Sequence, residues 1–166
     1  ETCPILSLAQ LPTAALADGP EAQAALRAKT GIPLPLVDLR VVNETLEAQP
    51  HDGQSVGEVV VRSPWLTQGY LHDPAASEAL WQGGVLHTGD IGHVDAAGWL
   101  QITDRMKDVI KTGGEWTSSL QIEDVVAQHP AVAEVAVIGV PDEKWGERPL
   151  ARVTLKPEHV GQVSEH

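Results

Sequence analysis

The 166-residue sequence predicts an α+β fold, β-rich through its first hundred residues and closing with a smaller α+β unit. Short β-branched runs bounded by Gly, Pro and Asp recur between Pro35 and Thr103, the pattern of strands joined by turns, and point to a barrel-like subdomain. After Asp104 the texture shifts to strand, helix, strand, strand, the order of a small mixed unit. A hydrophobic fraction of 42% supplies enough apolar side chain for a core.

Residues 5–35 are rich in Ala, Leu and Pro, and Gly19-Pro20 interrupts them before a short helix over Glu21 to Lys29. Leu36-Val37-Asp38-Leu39-Arg40-Val41-Val42 alternates in part and reads as a strand. Asp52-Gly53 marks a turn, and Gly57 to Arg62 is the next strand. Asp73-Pro74 starts a helix reaching about Trp81, because Asp accepts from free N–H groups and Pro suits the first helical position. Leu86 to Val94 and Trp99 to Thr103 form strands around the turn Asp95-Ala96-Ala97-Gly98. Val109-Ile110-Lys111 is a short strand ending at Gly113-Gly114. Ser118 to Gln128 is a helix with Ser118 and Gln121 at capping-box spacing. Val132 to Val140 is a strand stopped by Pro141-Asp142, and Pro149 to Lys156 is the last.

Eleven basic residues against 23 acidic ones give a net charge of −12, which argues against nucleic acid as the main partner. The acidic residues are scattered and read as solvated surface. No apolar run approaches the roughly 20 residues of a membrane helix, and the first residues lack the pattern of a secretory signal. The lone Cys3 cannot form an internal disulfide and suits a reducing cytoplasm; it reads as a packed side chain. The seven histidines show no metal-ligand spacing, and no Ser or Cys stands in a Gly-x-Ser-x-Gly elbow. The chain starts at Glu1 without Met and ends just after a strand-like run, so an interior fragment is expected.

Three clusters carry chemistry. In His87-Thr88-Gly89-Asp90 a carboxylate beside a glycine turn could accept from vicinal hydroxyls, although alone it reads as a capped turn. Thr103-Asp104-Arg105-Met106-Lys107-Asp108, continuing into Lys111, could hold phosphate or ribose oxygens through Arg and Lys, with a solvated linker as the bland alternative. Thr112-Gly113-Gly114-Glu115-Trp116 lets backbone approach a ligand closely and sets Trp116 to pack along an apolar arm, against the default of a glycine turn with a buried Trp.

Together, and in order with Gly57-Glu58, Gly69-Tyr70 and Val140-Pro141-Asp142-x-x-Trp145-Gly146-Glu147-Arg148-Pro149, these clusters resemble the adenylate-forming superfamily. The set is most similar to bacterial medium- and long-chain fatty-acyl-CoA synthetases. The resemblance implies that residues 1–103 are the C-terminal part of the large AMP-binding domain, 104–107 a hinge and 108–166 an incomplete small C-terminal domain. It implies a two-step reaction. A carboxylate attacks the α-phosphate of ATP to give an acyl-adenylate and pyrophosphate, and the thiol of coenzyme A then displaces AMP. Asp90, with Thr88 in the same motif, is expected at the ribose hydroxyls and Arg105 at the ribose or phosphate. Asp104 and Lys107 are expected at the hinge, with Lys107 and Lys111 contacting nucleotide from the mobile side. Gly113, Gly114 and Trp116 are expected along the pantetheine tunnel, and Glu1 beside Mg2+. The phosphate loop is expected upstream of Glu1 and a lysine supporting adenylation beyond His166, so the isolated fragment should be inactive. The implied partners are ATP, fatty acid and coenzyme A, with a homodimer left open. An aryl acid as substrate, or a non-catalytic binding module, remains the alternative.

Overall fold

The computed structural model describes residues 5–159, which leaves Glu1 and Cys3 outside the described residues. The chain divides into two compact units between Ile102 and Thr103. The α+β class expected from the sequence is what the structure shows, with short helices set among strands.

The first unit begins with β1 (Ser7–Leu8), α1 (Pro20–Arg27) and β2 (Ile32–Pro33), β1 and β2 pairing antiparallel. Next come β3 (Asp38–Val42), β4 (Gly57–Arg62), α2 (Pro74–Leu80), β5 (Leu86–Val94) and β6 (Leu100–Arg105). They form a four-stranded sheet in the order β3-β4-β5-β6. A bridge from Gly31 to Leu100 extends hydrogen bonding past β6 toward β2. Leu36 has a φ of 70° and is 76% exposed, so β3 starts two residues later than the alternation predicts.

Val59 and Val61 pack with Val41, Leu86, Val94 and Leu100, and Leu66 and Leu80 close the cluster. Val60 between them is 1% exposed, so β4 is buried on both faces. That explains its unbroken Val-Val-Val run where a one-sided strand would alternate. Each such side chain contributes about 1.5 to 3 kcal/mol of burial. The α2 start follows its sequence signals: Asp73 accepts from the Ala76 N–H at 2.9 Å, and Pro74 occupies the first turn.

The second unit consists of β7 (Ile110–Thr112), β8 (Glu115–Thr117), α3 (Ser119–Ala127), β9 (Val132–Asp142) and β10 (Gly146–Leu155), its sheet running β8-β7-β10-β9. Ile110, fully buried, and Val137 anchor its core. Ser118 Oγ accepts from the Gln121 N–H at 3.2 Å, the forward half of the expected cap. Three boundaries differ from expectation. Glu115–Thr117 pairs back on β7, making a hairpin about Gly113-Gly114 where only one strand was expected. β9 runs on through Pro141 to Asp142, because it is the edge strand and its proline removes no ladder bond on an open side. β10 begins at Gly146, ahead of Pro149, and pairing with β7 there is confined to Gly146 opposite Thr112. No helix among the described residues is long and apolar enough to cross a membrane.

Candidate functional site

In the first unit the Thr-Gly-Asp motif is a bulge. Glu58 stands opposite Ile91 and Val60 opposite His87, so Thr88, Gly89 and Asp90 face Val59 alone. Bulges of this kind re-aim side chains away from a ladder and are frequent beside active sites. Gly89 turns the chain with a φ of +70°, a conformation that glycine adopts without cost. A Cβ there would meet nothing within 4 Å, so the requirement is conformational and not steric.

Side chains then hold the bulge. Thr88 Oγ1 donates to the Val59 carbonyl at 2.7 Å and accepts from the Asp90 N–H at 3.1 Å. The Gly89 N–H donates to Glu58 Oε1 at 3.2 Å. His87 Nδ1 lies 2.8 Å from Glu58 Oε2, and His87 Nε2 lies 3.1 Å from the Gln82 carbonyl oxygen. An open depression of about 310 Å³ is lined by Glu58, Tyr70, Leu80, His87, Thr88 and Gly89.

The second unit holds the other two clusters. Asp104 is 3% exposed, and its Oδ2 accepts from Ser118 Oγ at 3.0 Å, Ser119 N–H at 2.8 Å and Ser119 Oγ at 3.2 Å. A carboxylate at this point satisfies free N–H groups and opposes the positive end of α3. Its other oxygen takes the Arg105 N–H at 2.7 Å. The Arg105 carbonyl accepts from both the Asp108 and Val109 N–H groups at 2.9 Å, so residues 105–109 form a tight turn. Lys107 projects from that turn with its side chain 80% exposed and its ammonium 3.8 Å from Asp108.

Lys111 and Trp116 face each other across the β7–β8 pair, the Lys111 ammonium 5.4 Å from the ring centroid. Gly113 and Gly114 have φ values of 61° and 85°, the two-glycine turn suited to a twisted hairpin. Residues not given a role from sequence brace this hairpin. The Gly113 N–H donates to the Trp145 carbonyl at 2.8 Å, and the Lys111 N–H donates to Glu147 Oε2 at 2.8 Å. Asp142 Oδ1 accepts from the Lys144 and Trp145 N–H groups at 2.9 Å; these bonds, Trp145's first, hold its carboxyl below the ordinary aspartate value. The Trp-Gly-Glu segment and Glu58 were visible in sequence only as parts of a motif, since their partners lie around thirty residues away, 36 for Lys111–Glu147 and 31 for Glu58–Gly89.

The structure thus groups Thr88, Gly89 and Asp90 in one unit, and Asp104, Arg105, Lys107, Lys111, Gly113, Gly114 and Trp116 in the other. Among the described residues no group of three or more His, Cys, Asp or Glu is arranged to hold a metal ion, and Glu1 lies outside them.

Comparison with known proteins places these features in a family. The AMP-binding enzyme C-terminal domain family matches residues 121–166. A long-chain-fatty-acid–CoA ligase of Thermus thermophilus is 47% identical over 139 residues, covering 83% of this chain and 26% of that protein. The chain belongs to the adenylate-forming superfamily. An acetate–CoA ligase of Humulus lupulus is 44% identical over 83% of this chain and 25% of its own length. The o-succinylbenzoate CoA synthetase of Bacillus subtilis, solved with its acyl-adenylate intermediate, superposes with a TM-score of 0.68 at 35% identity, covering 87% of this chain and 30% of that one. The chain therefore spans about a quarter of the length of the curated relatives it matches.

Proposed function

We propose that the protein to which this chain belongs is an AMP-forming ligase that activates a fatty acid as its acyl-adenylate and transfers it to coenzyme A. The observation that supports this most is the Thr88-Gly89-Asp90 bulge, a short motif lifted out of a β-ladder and held by four side-chain hydrogen bonds. In this reading Asp90 accepts from the ribose hydroxyls of ATP, and Arg105 contacts the ribose or a phosphate. Lys107 and Lys111 supply positive charge to the nucleotide, while Gly113, Gly114 and Trp116 line the path of the pantetheine arm. Glu1 would help hold Mg2+, whose chemistry when bound is to offset phosphate charge.

The same reading divides the chain into residues 1–103 of a large domain, a hinge at 104–107 and the small domain from 108. Asp104 is tied to α3 through buried hydrogen bonds, whereas Lys107 is 80% exposed on a turn, so Lys107 is the better pivot. The fatty-acid assignment leans on the 47% identity to the long-chain-fatty-acid ligase. An aryl acid is the second reading, favoured by the structural match to the o-succinylbenzoate enzyme.

The deciding experiment supplies the full-length protein with ATP, coenzyme A and a panel of acids from acetate to stearate, with aryl acids alongside. AMP and acyl-CoA formed best with a straight-chain acid are expected. Formation only with aryl acids moves the assignment to the second reading, and the absence of AMP formation with every acid of the panel rejects both.

A further inference from the structure

We propose that Glu58 is a positioning residue, holding the Thr88-Gly89-Asp90 bulge in the shape that presents Asp90 to the nucleotide ribose. The inference rests on the reading of Asp90 as the ribose ligand.

Three residues stand opposite Val59, so the ladder between β4 and β5 cannot pair all of their backbone groups. The Gly89 N–H is one that leaves the ladder, and it donates to Glu58 Oε1 at 3.2 Å. The second oxygen of the same carboxylate meets His87 Nδ1 at 2.8 Å. One side chain therefore grips the residues on either side of Thr88. Thr88 in turn donates to the carbonyl of Val59, Glu58's neighbour, and accepts from the Asp90 N–H. The backbone of Asp90 is thus fixed through Thr88, and Thr88 is bracketed by Glu58. The Glu58 and His87 side chains are 12% and 18% exposed, so water can replace these contacts only in part. Glycine restricts the backbone less than any other residue, and at Gly89, with a φ of +70°, the bond to Glu58 holds the observed conformation.

The test measures ATP–pyrophosphate exchange by the full-length protein and its Glu58→Ala, Glu58→Gln and Asp90→Ala variants, each with ATP and with 2′,3′-dideoxy-ATP. Glu58→Ala is expected to raise KM for ATP about tenfold and to leave KM for the carboxylic acid within about twofold. The preference for ATP over the dideoxy nucleotide should shrink by a similar factor, because the lost contact acts through the hydroxyls. Glu58→Gln keeps one acceptor oxygen of two and should fall between wild type and Glu58→Ala. A loss of activity that leaves the nucleotide preference intact would mean that Glu58 only stabilises the fold, and overturns the proposal. Should Glu58→Ala not fold, the isosteric Glu58→Gln decides, and an unchanged preference in that variant also overturns it. If Asp90→Ala retains the preference, the ribose reading itself fails. If Asp90→Ala loses it and Glu58→Gln and Glu58→Ala do not, only the role of Glu58 fails.

Discussion

Asp104, expected at a hinge by resemblance, has a carboxylate that the structure ties to the head of α3. It sits at the start of a charged stretch, Asp-Arg-Met-Lys-Asp, which by composition is linker-like. Its carboxylate is nonetheless buried and meets two serines at the head of α3. A buried carboxylate is tolerable only when hydrogen-bonded, and removing it leaves the serine groups without that partner. Asp104→Ala is expected to destabilise α3 by about 2 to 3 kcal/mol. Asp104→Asn, which keeps an acceptor for the Ser119 N–H, should cost less. Hydrogen exchange of the α3 amides measures both, and an unchanged exchange rate in Asp104→Ala would contradict the anchor. Glu58 is the parallel case in the first unit, a carboxylate whose value comes from two partners that neighbour each other only around a bulge.

At the scale of elements, the helices were the legible part. Asp73-Pro74 and Ser118-x-x-Gln121 carry their own start signals, because a cap acts on N–H groups within three residues of itself. Single strands were legible too, since β-branched residues and alternation are local. Pairing was not. The bulge at Thr88 depends on the register of β5 against β4, and the β7–β8 hairpin hides in a cluster whose Glu and Trp read equally as a loop. The hairpin gives a direct test. Gly113 and Gly114 both have positive φ, but a Cβ on Gly113 would lie 3.0 Å from the Trp145 ring, while one on Gly114 would meet nothing within 4 Å. Gly114→Ala should cost about 1 to 2 kcal/mol from its backbone alone. Gly113→Ala should cost about 1 kcal/mol more, because Trp145 must also give way. Denaturant midpoints of the two variants compare them, and equal losses would remove Trp145 as a wall of the turn.

For the molecule as a whole, the second unit leaves apolar side chains in solvent. Ile138 and Leu150 are cross-strand partners on β9 and β10, 59% and 52% exposed, and Val125 on α3 is 70% exposed. β9 is also an edge, although Glu123 accepts one of its backbone N–H groups, that of Val137, at 2.7 Å. Adjacent apolar residues on a sheet with an open edge invite association. The 166-residue chain in isolation is therefore expected to self-associate at micromolar concentration, and Ile138→Lys should reduce this. Light scattering follows both, and an unsubstituted chain that stays monomeric would show that the patch is harmless.

The sequence by itself determined the class of the fold, the helix starts, the β-rich first part and membership of the adenylate-forming superfamily. Those properties rest on neighbours within a few residues, or on the order and spacing of short motifs, and both are written along the chain. Only the tertiary structure decided that Thr88-Gly89-Asp90 is a bulge, that Glu58 and His87 support it, that Asp104 is buried against α3, and that Trp145 and Glu147 brace the glycine hairpin. Each of these joins residues from about 14 to 36 positions apart. Hydrogen bonds over such separations form only once strands have chosen their partners and register, and that choice is made by the packed core.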